Sequence, residues 1–179
     1  MPANAWVYSP TSWYPLLTNR IGIIDRVGGV YSDSSYMRPA WPGSDRIEPG
    51  VEHYGSHMPV WSWEDPEVGE YVFKTGRTTG TTLGRVDEVR EAWHDEHGII
   101  LEDQFFVSGY AQSGDRGAPV YQVEVIHYPI PNGWQPPDPG FALLWGVLWG
   151  GIETEDVFVF SSVRQVMADL DVWPLPGPF

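Results

Sequence analysis

From residue 68 onward, short runs rich in apolar and β-branched residues alternate with turn-forming residues. Runs of this length, separated by glycine, proline and polar residues, are typical of strands joined by tight connections. The runs cover residues 70–74, 81–90, 98–107, 119–127, 141–149 and 157–160. Six such strands predict a small closed antiparallel β-barrel.

A helical pattern follows the last run. Ser161 or Ser162 is suited to cap a helix N-terminus, and apolar residues recur at helical spacing within residues 163–170. Pro174 cannot continue such a helix. One C-terminal helix is therefore predicted to close the domain.

The first 67 residues differ in composition, being rich in proline, glycine, serine, tryptophan and tyrosine. Only residues 21–24 and 27–31 resemble short strands. The pattern predicts two parts: a Pro/Trp-rich, irregular N-terminal arm or remnant of a barrel over residues 1–67, and a β domain over residues 68–175.

Composition supports the all-β class. Apolar residues make up 42% of the chain and aromatic residues 15%, which is typical of a folded protein. The 17 prolines and 20 glycines indicate many turns and little continuous helix.

Charge and apolar content restrict the partners. The formal net charge is −14 and Lys74 is the single lysine, so no basic stripe is available to neutralise a phosphate backbone or an anionic membrane. The longest nearly apolar run, 141–152, is shorter than the roughly 20 residues of a membrane helix. With no signal-peptide pattern and no cysteine for disulfides, we expect an intracellular, cytoplasmic chain, although the compartment stays open.

Two motifs stand in a recognisable order. Residues 73–86, Phe-Lys-Thr-Gly-Arg-Thr-Thr-Gly-Thr-Thr-Leu-Gly-Arg-Val, precede residues 113–120, Ser-Gly-Asp-Arg-Gly-Ala-Pro-Val. The first resembles the strand, turn and strand that open the second barrel of chymotrypsin-like serine peptidases of the streptogrisin and α-lytic type. The second resembles their Gly-Asp-Ser-Gly nucleophile loop at every position but one. The resemblance covers roughly residues 68–175 and implies a chymotrypsin-like barrel.

This resemblance implies roles for the loop residues. Arg116 takes the position of the nucleophilic serine, and the oxyanion loop consists of Gly114, Asp115, Arg116 and Gly117. Asp115 would be buried and salt-bridged, with Arg116, Arg77 or the N-terminus as its partner. A purely structural ion pair remains as plausible as a functional one.

A third match, Gly-Val-Leu-Trp-Gly-Gly at residues 146–151, resembles the strand that forms one wall of the primary specificity pocket. By the same resemblance, the pocket-lining residues are Tyr110, Leu148, Trp149 and Gly150. Tyr110 is equally plausible as a core aromatic residue.

In relatives with disulfides, two cysteines flank the Gly-Arg-Thr-Thr-Gly turn. Phe73 and Leu83 take those positions here, so the resemblance implies an apolar contact in place of the crosslink.

The catalytic machinery is incomplete. A serine hydroxyl attacks only when a histidine, oriented by a carboxylate, removes its proton. None of the five histidines, His53, His57, His94, His97 and His127, lies in a segment like that of the family. A complete first barrel needs on the order of 80 to 100 residues, more than precede residue 68. The guanidinium of Arg116 carries no lone pair and cannot attack a carbonyl.

The segment His94-Asp-Glu-His97 contains metal-ligating residue types. On a hairpin, however, residues i and i+3 point to opposite faces of the strand. A solvated hairpin tip is the favoured interpretation over a metal site. We expect no metal and no cofactor.

Three hypotheses follow. The first is a catalytically inactive serine-peptidase homologue that binds protein or peptide, with the arm, a partner chain or a homo-oligomer covering the barrel face. The second is a serine endopeptidase, or a fragment of one, whose nucleophile is mutated to Arg116 or whose histidine and aspartate come from a partner chain. The third is an unrelated small β domain with a structural role.

Overall fold

The computed structural model of the chain describes residues 6–8, 20–39, 50–94, 98–125 and 140–173. These residues form eleven strands, one 3₁₀ turn, Glu153–Glu155, and one α-helix, α1 (Val163–Leu170). The strands are β1 (Trp6–Tyr8), β2 (Arg20–Val27), β3 (Ser35–Pro39), β4 (Gly50–His53), β5 (Ser56–Trp63), β6 (Tyr71–Gly76), β7 (Gly80–His94), β8 (Ile99–Gly109), β9 (Pro119–Val125), β10 (Gly140–Ile152) and β11 (Val157–Ser162). The prediction of a mostly β protein with one C-terminal helix is confirmed.

Strands β4 to β11 form one eight-stranded sheet in the order β11-β8-β7-β6-β9-β10-β5-β4, with a further pairing of β11 with β10. All pairings among β6 to β11 are antiparallel. Strand β5 pairs parallel to β10. The prediction of six antiparallel strands was therefore incomplete, because the β4–β5 hairpin adds two strands from within the predicted N-terminal arm.

The largest core cluster draws on every strand from β6 to β11. Its fully buried members include Trp145 of β10 and Phe158 and Phe160 of β11. Strand β11 is buried on both faces, since Val159 and Ser161 between and beyond the two phenylalanines are also buried. A second cluster forms where Val51 and Val60 of the hairpin pack with Tyr121 and Ala142.

Helix α1 begins at the predicted cap. The Oγ atom of Ser162 accepts a hydrogen bond from the Gln165 amide at 3.3 Å, and the Gln165 side chain accepts one from the Ser162 amide at 2.7 Å. This reciprocal pair is a capping box, which satisfies two backbone donors that the first turn leaves open. Among the described residues, no helix has the length and apolar character needed to cross a bilayer.

Strands β1, β2 and β3 form a separate three-stranded sheet. The strand predicted for residues 27–31 ends at Val27, because the chain bends there before β3 begins. This bend, residues 28–34, is held to helix α1 by one carboxylate oxygen of Asp169. The amides that donate to this oxygen, at 3.1, 3.1 and 2.7 Å, belong to Gly29, Tyr31 and Ser32.

Other parts of the predicted arm, residues 1–5, 9–19 and 40–49, lie outside the described residues. So do residues 126 and 127 of the predicted fourth strand of the barrel. Within the described part, Phe73 and Leu83 stand directly opposite each other in the β6–β7 register, as expected for positions that a disulfide joins in relatives.

Candidate functional site

The loop that joins β8 to β9 carries Arg116, and its backbone has two left-handed turns. Gly114 has φ of +98° and Gly117 has φ of +84°, values that side-chain-bearing residues rarely adopt. The loop is tied to β10 through both backbone groups of Leu148. The Gly117 amide donates to the Leu148 carbonyl at 2.7 Å, and the Leu148 amide donates to the Ala118 carbonyl at 2.9 Å.

Asp115 precedes Arg116 in this loop and is 1% exposed. Its carboxylate accepts hydrogen bonds from the amide of Thr78 at 2.8 Å, the hydroxyl of Thr79 at 2.7 Å and the amide of Gln112 at 3.2 Å. The Nζ atom of Lys74 lies 2.9 Å from Oδ2 of Asp115 and completes the set with an ion pair. The expected burial and ion pairing are therefore present, but the partner is Lys74 rather than Arg77 or Arg116.

Lys74 was missed as a partner, although the sequence contained a signal for it. On strand β6 the buried positions are Val72, Lys74 and Gly76, which alternate with more exposed ones. A lysine two residues from a core valine faces the interior, and a buried ammonium requires a carboxylate. Asp115 was the aspartate already predicted to be buried.

Burial on its own raises the pKa of Asp115, because it penalises the charged carboxylate. Hydrogen bonds from Thr79 and Lys74, followed by those from Gln112 and Thr78, act in the opposite direction and hold the pKa well below its ordinary value. Asp115 is therefore an anion at neutral pH, serving as a fixed acceptor for the loop rather than as a proton carrier.

Gly76 is required by the same contact. A Cβ atom at this position would lie 2.3 Å from Cγ of Asp115. The Gly-Arg-Thr-Thr-Gly motif thus gives the carboxylate room at its first glycine and donates backbone hydrogen bonds from its two threonines.

Two cavities meet at Arg116. The loop cavity, of about 340 Å³, is lined by Ala111, Gln112, Ser113, Arg116, Leu148, Gly150 and Gly151. The aromatic cavity, of about 310 Å³, is lined by Arg90, Ala92, Trp93, His94, Phe106, Arg116, Trp149, Gly150, Gly151, Ile152 and Val159. Arg116, Gly150 and Gly151 line both cavities, which therefore adjoin at these residues, and the two together are called the cleft.

The residues expected to line the pocket divide between these cavities. Leu148 and Gly150 line the loop cavity, whereas Trp149 lines the aromatic cavity. Tyr110 lines neither of them. Its side chain is 45% exposed, and its carbonyl accepts a hydrogen bond from the Thr82 hydroxyl at 2.8 Å.

His94 is part of the cleft, which the sequence did not indicate. The interpretation of residues 94–97 as a solvated hairpin tip is wrong for His94, which is 2% exposed. Its Nε2 atom lies 2.9 Å from Oδ2 of Asp33, and its ring stacks on Trp149 with centroids 5.1 Å apart. The burial arises because β7 extends far enough to pack against the bend between β2 and β3. His97 and His127 lie outside the described residues.

Gln104 anchors the wall of the aromatic cavity and is fully buried. Its Oε1 atom accepts hydrogen bonds from the Trp149 indole and the Ser161 hydroxyl, both at 2.7 Å. Its Nε2 atom donates to the Tyr31 carbonyl at 2.9 Å. A satisfied buried amide of this kind fixes the orientation of Trp149. Among the described residues, no group of three or more acidic or histidine side chains is arranged to hold a metal ion.

No protein-family model matches the chain. Proteins from two strains of Mycobacterium tuberculosis, both described as uncharacterized, are 33% identical over 111 residues. Each match spans 60% of this chain but only 39% of the length of the relative.

Solved structures of serine proteases superpose on this chain at low sequence identity. Nocardiopsis protease matches with a TM-score of 0.67 and 16% identity, covering 96% of this chain and 78% of its own. A glutamic acid specific serine protease matches with a TM-score of 0.66 and 17% identity, over 84% and 71% of the two chains. Protease A of Thermobifida fusca matches with a TM-score of 0.62 and 18% identity, over 82% and 70%. The chain therefore has the fold of the chymotrypsin-like serine proteases.

Proposed function

We propose that this chain is a catalytically inactive serine-peptidase homologue that binds a protein or peptide in the cleft around Arg116. The observation that carries the proposal is that Arg116 lines both cavities, on a loop that its own buried Asp115 ties to Lys74. The loop keeps the construction of a nucleophile loop, while the residue at its tip is a hydrogen-bond donor without a lone pair.

The surroundings of Arg116 support binding over hydrolysis. In a serine-protease triad, the histidine contacts the carboxylate through Nδ1 and the nucleophile through Nε2. In His94 it is Nε2 that contacts Asp33, and the ring face is covered by Trp149. The histidine of the cleft is therefore engaged in a way that differs from a general base.

An extended peptide has an edge to bind along. Up to Val147, β10 pairs with β9, but its residues 150–152 pair only with β11 among the described strands. The opposite edge of this segment borders the cleft, and a Cβ added at Gly150 would meet nothing within 4 Å. Strand addition at such an edge supplies main-chain hydrogen bonds, and neighbouring cavities select side chains.

The alternative is a serine endopeptidase whose nucleophile is mutated to Arg116, or whose histidine and aspartate come from a partner chain. One observation favours keeping it: His94, which pairs with Asp33, lines the same cavity as Arg116. Restoring a serine at this position tests whether any base can activate it.

The first experiment is fluorophosphonate labelling of the natural chain, of Arg116→Ser, and of Arg116→Ser combined with His94→Gln. The inactive homologue predicts no labelling of any of the three. Labelling of Arg116→Ser that His94→Gln abolishes would instead establish a His94-dependent peptidase site. Labelling that persists in the double variant and requires an added partner chain would support the split-site alternative.

The second experiment measures binding of fluorescein-labelled eight-residue peptides by anisotropy. Gly150→Tyr should project a ring into the cleft and weaken binding, whereas Arg164→Gln, which alters a residue lining neither cavity, should not. Intact peptide recovered after incubation is expected. Equal binding by the natural chain and Gly150→Tyr would contradict the proposed site.

The expected partner chain or homo-oligomer over the barrel face stays a prediction. Mass in solution, measured across a range of concentrations, is its direct test.

A further inference from the structure

The aromatic cavity has walls made largely of ring faces. The indole N–H of Trp149 is bound to Gln104, and the ring of His94 lies against that of Trp149 at an interplanar angle of 26°. Phe106, on the neighbouring strand, also lines the cavity. These walls favour an apolar, planar group, because they offer contact area and few unsatisfied donors.

Two arginines, Arg90 and Arg116, are among the residues that line this cavity. Arg90 lies with its guanidinium carbon 3.9 Å from the centre of the Phe106 ring, which holds it against the wall. Its Nε atom donates to Glu88 at 2.6 Å, in a pair whose members are about half exposed. Arg116 lines the same cavity from the loop side.

The two arginines that line this cavity contrast with the rest of the chain, whose net charge is −14. Most of the surface repels anions, so an anionic ligand gains attraction only where arginines converge. A carboxylate matches the planar fork of a guanidinium in geometry as well as in charge.

The size of the cavity limits the ligand. A volume of about 310 Å³ corresponds to about ten water molecules at their share of liquid volume, which accommodates one aromatic ring with a carboxylate. A long acidic segment would extend beyond it.

We propose that the aromatic cavity binds a carboxylate joined to an aromatic group. This chemistry is presented by the C-terminal residue of a peptide that ends in phenylalanine, tyrosine or tryptophan, and also by a free aromatic acid. The inference rests on the proposed function, since it requires a cleft that holds its ligand uncleaved.

Calorimetric titrations with matched probes test the inference. The probes are N-acetylphenylalanine, its neutral amide, and an eight-residue peptide ending in phenylalanine with a free or an amidated C-terminus. We expect the free carboxylate to bind at least about tenfold more tightly than the amide in each pair, as one charge-assisted hydrogen-bonded pair allows. Tighter binding of the peptide acid than of N-acetylphenylalanine identifies a peptide C-terminus as the ligand, and equal binding identifies a free aromatic acid.

Arginine variants test whether Arg116 and Arg90 cause the preference for carboxylate over amide. Arg116→Gln and Arg90→Gln should each reduce the preference for carboxylate over amide by about tenfold, and the amide should bind with little change. The control Arg164→Gln removes an exposed arginine, paired with Asp65, that lines neither cavity, and should leave the preference intact.

The failures of the two proposals are distinguishable. If the amidated and free peptides bind equally, the carboxylate inference is overturned while peptide binding by the cleft stands. If a carboxylate preference exists but survives both arginine variants, the aromatic cavity is not its source and the inference is likewise overturned. If no peptide binds, the proposed function fails as well.

Discussion

The ammonium of Lys74 and the carboxylate of Asp115 lie 2.9 Å apart, and both side chains are completely shielded from solvent. The pair joins strand β6 to the loop that presents Arg116. Since a buried charge is tolerated only when it is paired and hydrogen-bonded, each of these residues requires the other. The geometry of the cleft therefore depends on an ion pair that lies outside the cleft itself.

Breaking this pair should destabilise the protein strongly. Asp115→Asn leaves the Lys74 ammonium buried without its counter-charge, and we expect the free energy of unfolding to fall by about 3–5 kcal/mol. Urea denaturation followed by tryptophan fluorescence measures this. The control is Arg90→Gln, whose half-exposed pair with Glu88 should contribute less than about 1 kcal/mol. Similar, small losses for both variants would show that the Lys74–Asp115 pair is not needed.

The same pair predicts how stability depends on pH. The folded-state pKa of Asp115 lies below its ordinary value of 3.8, so its stabilising contribution is present above about pH 4 and is lost as the pH falls further. Protonated Asp115 resembles asparagine, and the natural chain and Asp115→Asn should therefore converge in unfolding free energy towards low pH. Urea denaturation at pH 6 and pH 3 makes the comparison. A constant difference between the two proteins would exclude this role of Asp115.

Two glycines give a matched test of backbone crowding. In Gly76→Ala the new Cβ would lie 2.3 Å from Cγ of Asp115, so we expect a loss of about 1–3 kcal/mol from overpacking. In Gly150→Ala the Cβ would meet nothing within 4 Å, and stability should change by less than about 0.5 kcal/mol. Thermal or urea unfolding distinguishes them, and a larger loss for Gly150→Ala would contradict the packing described here.

Asp169 should hold the bend between β2 and β3 against helix α1. Asp169→Ala removes the common acceptor of three amides, and we expect a loss of about 1–3 kcal/mol. Hydrogen exchange by NMR should show faster exchange at Gly29, Tyr31 and Ser32. The comparison variant Asp171→Ala removes a carboxylate that is 93% exposed and should leave these amides protected. Unchanged exchange in Asp169→Ala would mean that other contacts hold the bend.

Much of the barrel was predictable because its determinants are local. Short apolar runs separated by turn residues located β6 to β11, and of the two serines predicted to cap the helix, Ser162 is the cap. Turn residues likewise marked the loop at residues 113–118, where two glycines adopt positive φ. The β4–β5 hairpin was missed, since it lies in the Pro/Trp-rich segment that was interpreted as irregular and its place in the sheet depends on β10.

Residue roles that depend on long-range contact were harder to predict. Lys74 was noted only as the single lysine, although its place two residues from Val72 indicated an inward side chain. The position of His94 depends on Asp33, which is 61 residues away in the chain. No local pattern encodes such a distance.

The sequence by itself determined strands β6 to β11, the helix and the loop with Arg116 at its tip, because apolar runs, turn residues and capping residues act locally. Motifs within these segments carry the resemblance to a serine-peptidase barrel. Only the tertiary structure decided that Lys74 pairs with Asp115, that His94 stacks on Trp149, and that two cavities converge on Arg116. Those relationships join residues that are distant in the chain. They arise from the burial of charges and rings when strands pair, and no segment of the sequence contains both partners.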